Sequence, residues 1–282
     1  MTDLQKIELD MLKEFIRICD ELNLTYYLVC GSALGAAKYQ GFIPWDDDLD
    51  VALPREDYEV FCKHAQSMLP SHLFLQNHHS ETEYPLIFSK IRNSNTTFIE
   101  KSVANLNINH GIYIDVFPLD GYPTSIKEQE QIEKEKRRYS LTRLCCLNTA
   151  LTWKTKILVA IEKLLGVHKN PAKFIARLEK YITPYDTSTS RVLCNHGNWQ
   201  GKLEYAPREQ YGSGIMVKFE GVDVRIPEKI DDYLTQKYGD WRADLPEHEK
   251  QGHHYNYVCD TEVSYVEYMN KSGTYDIKRC NK

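Results

Sequence analysis

Several features that mark large classes of proteins are missing from this 282-residue sequence. No apolar run approaches the roughly 20 residues that a helix needs to span a bilayer, so a helical membrane protein is not expected. The first predicted helix begins with charged residues, among them Asp3, Lys6 and Glu8, and we therefore expect no signal peptide. Basic residues are in the minority, because 35 Lys and Arg face 40 Asp and Glu and give a net charge of −5. A mildly acidic chain binds polyanions poorly, so nucleic acid is not an expected partner.

The eight cysteines contain no C-x-x-C pair and lie mostly within apolar segments. This distribution predicts buried, reduced thiols in a cytosolic protein. A structural zinc site is the alternative, although its candidate ligands have no recognised spacing. Those candidates are the pairs Cys194/His196, His78/His79 and His253/His254.

Three common catalytic signatures are also absent. The sequence has no Gly-Lys-Ser/Thr of a Walker phosphate loop, no G-x-G-x-x-G of a dinucleotide fold and no G-x-S-x-G nucleophile elbow. It therefore does not indicate a P-loop enzyme, a Rossmann dehydrogenase or a serine hydrolase.

Hydrophobic periodicity predicts an α+β protein with a mixed β-sheet core flanked by helices. Helices are expected over residues 4–22 and 32–40 and from Pro54 onward, and strands over 26–30, 48–53 and 112–117, with weaker strands near Phe74, 88–91 and Phe98. The strand at 112–117 is expected to stop at Pro118. Residues 217–220 and 222–226 predict a hairpin, which a helix from Pro227 to Gly239 follows. We divide the chain into a catalytic core (1–123), a helical subdomain (124–182) and a C-terminal region that completes the cleft (183–282).

The helical segment 124–182 differs from the rest of the chain in charge. It has thirteen Lys and Arg against six Asp and Glu, a net charge of +7, which leaves −12 for the remainder. Residues 141–165 are apolar and interrupted by Lys154, Lys156 and Lys163. Such a pattern is typical of a peripheral surface that contacts anionic lipid or a lipid-linked substrate. A helical subdomain with an ordinary solvated basic face is the simpler alternative.

The densest chemistry lies in residues 45–53, WDDDLDVAL. If this segment is a strand, Asp46, Asp48 and Asp50 share one face, with neighbouring carboxylates roughly 7 Å apart. Carboxylates so close repel one another unless a cation neutralises them, and hard oxygen ligands favour magnesium or manganese. We therefore predict a divalent metal site here.

The acidic run has two alternative interpretations. An acidic surface turn is common, but the flanking residues are strongly apolar. An EF-hand calcium loop requires Gly and Glu where this chain has Val51 and Asp57, so that loop is excluded.

Other residues could complete a phosphate-handling site. Gly31-Ser32 follows a predicted strand and opens a helix, a position where backbone N–H groups bind phosphate, although a plain turn is the simpler explanation. Asp115 is a carboxylate inside an apolar strand, which suggests a third acidic group at the site or a salt-bridged Asp. Lys90 and Arg92 either neutralise phosphate or form an ordinary exposed basic pair.

In these segments the sequence resembles the LicD family. The resemblance is carried by residues 31–35 (GSALG), 41–50 (GFIPWDDDLD), 90–92 (KIR), 114–118 (IDVFP) and 238–241 (YGDW). It is strong over about residues 20–120, returns near 225–255 and is loose across the central helices. The W-D-D-D-x-D run is specific, whereas the other segments alone are not.

The resemblance implies a nucleotidyltransferase-like fold and transfer of a phospho-alcohol, such as phosphocholine, from a CDP-activated donor to a glycan hydroxyl. CMP is the implied product and Mg²⁺ or Mn²⁺ the cofactor. The family includes bacterial phosphocholine transferases and fukutin-type ribitol-phosphate transferases, and the acceptor is expected to be a lipid-linked envelope glycan. A cytoplasmic protein, peripheral at the inner face of the plasma membrane, is expected.

The resemblance also implies roles for individual residues. Asp48 and Asp50 would bind the metal with support from Asp46, Asp115 would match the family's further acidic residue, and Gly31-Ser32 would hold donor phosphate. The helix-end residues Tyr238, Asp240 and Trp241 are expected to border the substrate, although a helix C-terminal turn explains them as well. A true nucleotidyltransferase and an inactive binding module remain alternatives.

Overall fold

The computed structural model describes residues 1–166, 170–198, 201–252 and 254–275. Its helices are α1 (Asp3–Glu21), α2 (Cys30–Tyr39), α3 (Arg55–Met68), α4 (Ile126–Cys146), α5 (Trp153–Leu164), α6 (Pro171–Ile182), α7 (Arg208–Tyr211) and α8 (Ile230–Tyr238). Its strands are β1 (Tyr27–Leu28), β2 (Asp50–Pro54), β3 (Leu73–Gln76), β4 (Ser89–Asn93), β5 (Thr97–Glu100), β6 (Ile112–Gly121), β7 (Val192–Cys194), β8 (Tyr205–Pro207), β9 (Ile215–Phe219), β10 (Val222–Ile226) and β11 (Asn256–Asp260).

The central sheet has the strand order β1-β2-β6-β4-β3, and β7 and β8 extend it from the far end of β6. Strands β2 and β6 are parallel, and the other pairs in this sheet are antiparallel. Two further antiparallel pairs form separate sheets, the β9–β10 hairpin and the pair of β5 with the distant β11. This mixed sheet with surrounding helices confirms the predicted α+β class.

Strand β6 is the middle strand of the central sheet, and every one of its ten residues is buried. Side chains alternate between the two faces of a strand. Ile114 and Val116 pack into the core that α1 and α3 cover. Phe117 and Leu119 belong to a second core beneath α2, α4, α6 and α8. Asp115 lies between Ile114 and Val116 in sequence, so its carboxylate is directed to the opposite face from theirs.

The structure corrects two predicted strand bounds. The first strand spans only Tyr27–Leu28, because α2 already begins at Cys30. Strand β6 does not stop at Pro118 but continues to Gly121. Pairing with β4 ends at Ser89 opposite Val116, so no β4 carbonyl lies where the missing N–H of Pro118 would have bonded.

The acidic run was predicted as a strand, and this prediction is wrong for residues 46–49. Strand β2 begins only at Asp50, and the preceding residues are irregular. The side chain of Gln5 on α1 fixes this loop by donating to the backbone oxygens of Ile43 (3.3 Å) and Asp46 (3.1 Å). The loop, and not the alternation of a strand, therefore sets the direction of Asp46 and Asp48.

The predicted helices and hairpin are mostly confirmed. A capping box between Thr2 and Gln5 starts α1, and β9 and β10 form the predicted hairpin. The last helix begins at Ile230, three residues after Pro227. None of the helices in the described ranges is long and apolar enough to cross a bilayer. The seven cysteines in those ranges are free thiols, and Cys259 alone among them is exposed.

Candidate functional site

Three neighbouring strands bring two carboxylates and an ammonium group side by side. Asp50 on β2 lies in register with Asp115 on β6, which in turn lies opposite Lys90 on β4. The Lys90 Nζ is 2.6 Å from Asp115 Oδ1, and all three residues are buried. A buried ion pair beside a further buried carboxylate is costly to maintain, so this arrangement indicates a functional site.

These three residues line a cavity of about 850 Å³. The other charged residues in its wall are Asp46, Asp48, Lys38, Arg92, Glu100, Arg143, Asp240 and His254. Its remaining wall is apolar and aromatic and includes Tyr39, Trp45, Tyr84, Phe88, Phe117, Tyr238 and Trp241. A cavity of this size with a few convergent charged groups can hold a nucleotide-sized ligand.

The carboxylates of the cavity repel one another. Burial, with the charges of Asp48 and Asp115, raises the pKa of Asp50 well above its ordinary value. Burial and the charge of Asp48 likewise raise the pKa of Asp46 to about 8. Burial also raises the pKa of Asp115 more than Lys90 lowers it. A divalent cation would relieve this repulsion, and the oxygen donors are of the type that Mg²⁺ and Mn²⁺ prefer.

Glu8 on α1 is a further acidic residue beside the cluster, which the sequence analysis named only as a charged residue of the first helix. It is 1% exposed, and its Oε2 has no hydrogen-bond partner among the described residues. Burial and the charges of Asp48 and Asp46 raise its pKa well above the ordinary value. An orphaned buried oxygen beside the acidic cluster supports the fit of this region to a cation.

His254 is the second group whose place the sequence did not indicate. Its Nδ1 lies 3.1 Å from Asp47 Oδ1, its backbone N–H donates to Asp47 Oδ2 (3.1 Å), and its Nε2 lies 3.6 Å from Asp48 Oδ2. Although burial opposes protonation, these carboxylates raise the pKa of His254 to about 10. As an imidazolium, His254 neutralises part of the acidic cluster.

Asp47, Asp48 and His254 are also the one set of three potential metal ligands found close together within the described residues. Of the zinc pairs considered from sequence, Cys194 Sγ lies 3.4 Å from His196 Nδ1, and the ring centroids of His78 and His79 lie 3.9 Å apart with their planes tilted by 43°. Neither pair gathers a third ligand in the part of the chain that the structure describes. His253 lies outside the described residues.

The predicted phosphate-binding turn lies at the start of α2 beside Asp46. Gly31 lines the cavity, and a Cβ at this position would lie 2.8 Å from Asp46 Oδ2, so only glycine fits without movement. Ser32 is buried, and its hydroxyl accepts a 2.8 Å hydrogen bond from the backbone N–H of Asp50. Ser32 thus fixes the start of β2, and phosphate binding by this turn stays a prediction.

We expect Ser32→Ala to lower the free energy of unfolding by about 1–3 kcal/mol, because it leaves the buried N–H of Asp50 unsatisfied. Urea unfolding followed by circular dichroism measures the change. Ser67→Ala is the matched control, since the exposed Ser67 hydroxyl bonds only to its own helix at His64. Equal stability of the two variants would contradict the positioning role of Ser32.

Lys90 and Arg92 are not the exposed basic pair that sequence reasoning allowed as an alternative. Both are buried and line the cavity. Arg92 donates to Gln76 (2.7 Å) and to the Gly111 carbonyl (2.8 Å), and its Nη2 lies 3.3 Å from Glu100 Oε2. Although burial opposes ionisation, Lys90 and Arg92 lower the pKa of Glu100 to about 2. Their contact with phosphate remains a prediction.

The predicted substrate-binding residues Tyr238, Asp240 and Trp241 all line the cavity at the end of α8. The Trp241 Nε1 donates to Asp231 (3.0 Å), which holds the indole against α8. The Lys38 ammonium on α2 donates to the carbonyl oxygens of Arg242 and Ala243. These hydrogen bonds hold the segment after α8 against α2, the helix that begins beside the acidic run.

Comparison with known proteins agrees with this geometry. Residues 23–143 match the LicD/FKTN/FKRP nucleotidyltransferase domain, a range that contains Gly31, the acidic run and Asp115. The lipopolysaccharide cholinephosphotransferase LicD of Haemophilus influenzae is 28% identical over 258 residues, which cover 89% of this chain and 94% of that protein. An uncharacterised protein of Rickettsia prowazekii is 28% identical over 114 residues (40% of this chain, 39% of that protein). A second, from Rickettsia typhi, is 38% identical over 60 residues (21% and 18%). The domain match covers the paired carboxylates and one relative aligns along nearly the whole chain, so this protein contains a region similar to the LicD/FKTN/FKRP nucleotidyltransferase domain.

Proposed function

We propose that this protein transfers phosphocholine, or a related phospho-alcohol, from a CDP-activated donor to a hydroxyl group of a cell-surface glycan and releases CMP. The observation that carries the proposal is the single cavity that Asp48, Asp50, Asp115 and Lys90 line together. The near full-length similarity to a lipopolysaccharide cholinephosphotransferase supports the choice of donor group and acceptor class.

Asp48 and Asp50, with Asp46 beside them, would hold a divalent cation, Mg²⁺ or Mn²⁺. Such an ion neutralises the charge of a diphosphate, and phosphoryl transfer depends mainly on positioning and charge neutralisation. The protein's own part is to fix the carboxylates: Ser32 holds the backbone at Asp50, and Gln5 holds it at Asp46.

Asp115 is better suited to bind the cation than to accept a proton. It lies in register with Asp50 on the adjacent parallel strand, so the two carboxylates can share one ion. The Lys90 ammonium, 2.6 Å from its Oδ1, opposes protonation of this carboxylate and so favours its charged, cation-binding form. We therefore assign Asp115 to the metal shell together with Asp48 and Asp50.

The aromatic wall suits the organic parts of the donor. Tyr39 and Trp45 pack edge to face at 6.3 Å, and Lys250 already lies 5.4 Å from the Trp45 ring centre. Aromatic faces that attract a lysine also attract a quaternary ammonium group, and they stack with a pyrimidine base. We propose that this wall, with Tyr238 and Trp241, receives the choline or cytidine part of the donor. A nucleotide-activated donor of this kind implies a cytoplasmic reaction.

The test is a product assay. Purified protein with Mg²⁺, CDP-choline and a lipopolysaccharide or other envelope glycan should release CMP only when all three are present. A parallel series with CDP-ethanolamine, CDP-ribitol and nucleoside triphosphates identifies the donor, and chelation of the metal should stop the reaction. Release of pyrophosphate from a triphosphate, without CMP from any CDP-alcohol, would instead establish the nucleotidyltransferase alternative that the family domain name also allows.

A further inference from the structure

Helix α5 carries an apolar surface that faces solvent. Six of its large apolar side chains are between 50% and 88% exposed, namely Trp153, Ile157, Leu158, Ile161, Leu164 and the adjoining Leu165. Within α5 itself the only buried side chain is Val159. Isolated exposed apolar residues are ordinary, but a contiguous group on one helix marks an interaction surface.

The spacing of these residues places them on one side of the helix. At about 100° per residue, the six exposed side chains fall within an arc of about 140°, and Val159 lies on the opposite side. The α5 surface, as we call these six residues, therefore points away from the body of the protein. An amphipathic helix that packed in the ordinary way would bury this arc instead.

The charges around the α5 surface are basic. Lys154 lies within the arc, with its Nζ 5.5 Å from the Trp153 ring. Lys156 and Lys163 are exposed but lie about 130° and about 150° from the centre of the arc. Glu162 is the one acidic residue of the helix. The surrounding segment 124–182 has a net charge of +7 in a chain whose remainder has −12. An anionic surface would therefore attract the helical segment 124–182 and repel the rest of the chain.

We propose that the α5 surface docks onto a membrane that contains anionic lipid. The apolar arc would enter the boundary between headgroups and acyl chains, where Trp is favoured, while Lys154 extends its ammonium group outward to lipid phosphates and the other lysines of the helix add longer-range attraction. The combination of an exposed apolar arc with the net positive charge of its subdomain favours a lipid surface over a second copy of this chain, whose like-charged α5 would repel it. This proposal does not depend on the proposed reaction.

The structure also narrows the membrane contact predicted from sequence for residues 141–165. Residues 141–146 form the end of α4, where Thr142, Cys145 and Cys146 are buried. They pack inside the helical subdomain and are not free to meet lipid. The contact surface therefore begins at Trp153.

The experiment is co-sedimentation of the full chain with vesicles of phosphatidylcholine alone and of phosphatidylcholine with one-quarter phosphatidylglycerol. The wild-type protein should bind the anionic vesicles at least about tenfold more strongly, and binding should weaken as salt rises. Ile157→Gln/Leu164→Gln should lower the partition coefficient at least about tenfold without changing the melting temperature. Lys154→Gln/Lys156→Gln/Lys163→Gln should reduce binding to the level of neutral vesicles.

Met216→Gln is the matched control, because Met216 is a 55% exposed apolar residue on β9, outside α5. It should bind vesicles like the wild type. The proposal is overturned if the wild type does not bind anionic vesicles, or if Ile157→Gln/Leu164→Gln binds them equally well. Concentration-dependent self-association without lipid, lost in the same double variant, would assign the α5 surface to a second copy and would also overturn it.

Discussion

Replacing Asp48 or Asp50 by Asn is expected to lower the rate of CMP release about 10²–10³-fold or more, since each variant removes a charge that positions the cation against the donor diphosphate. The fold should persist. Asp50 is buried among like charges, so an amide of the same shape removes repulsion and leaves the free energy of unfolding equal or higher. Steady-state CMP release at saturating Mg²⁺ and thermal melting measure the two effects separately.

Asp223→Asn is the control for these substitutions. Asp223 is an exposed residue of β10 that pairs with Lys218 at 2.9 Å and does not line the cavity, so turnover and stability should not change. Near-normal turnover of Asp50→Asn at any Mg²⁺ concentration would mean that the metal assignment is wrong. A melting temperature well below that of the wild type would contradict the account of like-charge repulsion.

Lys90→Met is expected to lower the free energy of unfolding by about 3–5 kcal/mol. Lys90 is 3% exposed, and its Nζ lies 2.6 Å from Asp115, 4.0 Å from Glu100 and 3.4 Å from the centre of the Tyr113 ring. Methionine fills most of the same volume but leaves the buried Asp115 without its cation and Glu100 with Arg92 alone. Urea unfolding in the absence of divalent metal measures the loss.

The double variant Lys90→Met/Asp115→Asn separates the charge effect from packing. It should recover most of the stability that Lys90→Met loses, because the stranded carboxylate is removed as well. Lys218→Met, which breaks the exposed pair with Asp223, should cost less than about 1 kcal/mol. If Lys90→Met costs no more than Lys218→Met, Lys90 does not balance the buried acidic groups.

The parts of the fold that local patterns determine could be predicted from the sequence. The periodicity of α1, with its capping box at Thr2, and the β9–β10 hairpin around Gly221 depend on residues near one another in the chain. The wrong predictions concern features that distant neighbours decide. Pro118 is tolerated in β6 because the pairing of β6 with β4 ends two residues earlier, at Val116. The loop before β2 is irregular, with its backbone carbonyl at Asp46 bonded to the Gln5 side chain of α1.

The residues of the candidate site also fall into two groups, those that a local sequence pattern indicates and those that distant parts of the chain bring in. Asp46, Asp48, Asp50 and Asp115 could be proposed because carboxylates within apolar segments are conspicuous in any sequence. These carboxylates line one cavity, but the reason is not the predicted strand, in which alternate side chains would share a face. That prediction was wrong for residues 46–49, which form an irregular loop. Glu8 resembled any exposed helix residue, and His254 lies 207 residues from the Asp47 that it contacts. No local pattern relates residues so far apart.

The pairing of β5 with β11 has a consequence for how the protein is made. In the order of synthesis, Asp47 of the acidic run precedes His254 by 207 residues. Until the segment around His254 has been made, the acidic run lacks the imidazolium that partly balances it. Every strand of the central sheet lies before this segment in the chain, so the contact between His254 and the acidic run forms only after those strands have been synthesised, and chains that terminate before residue 254 lack it.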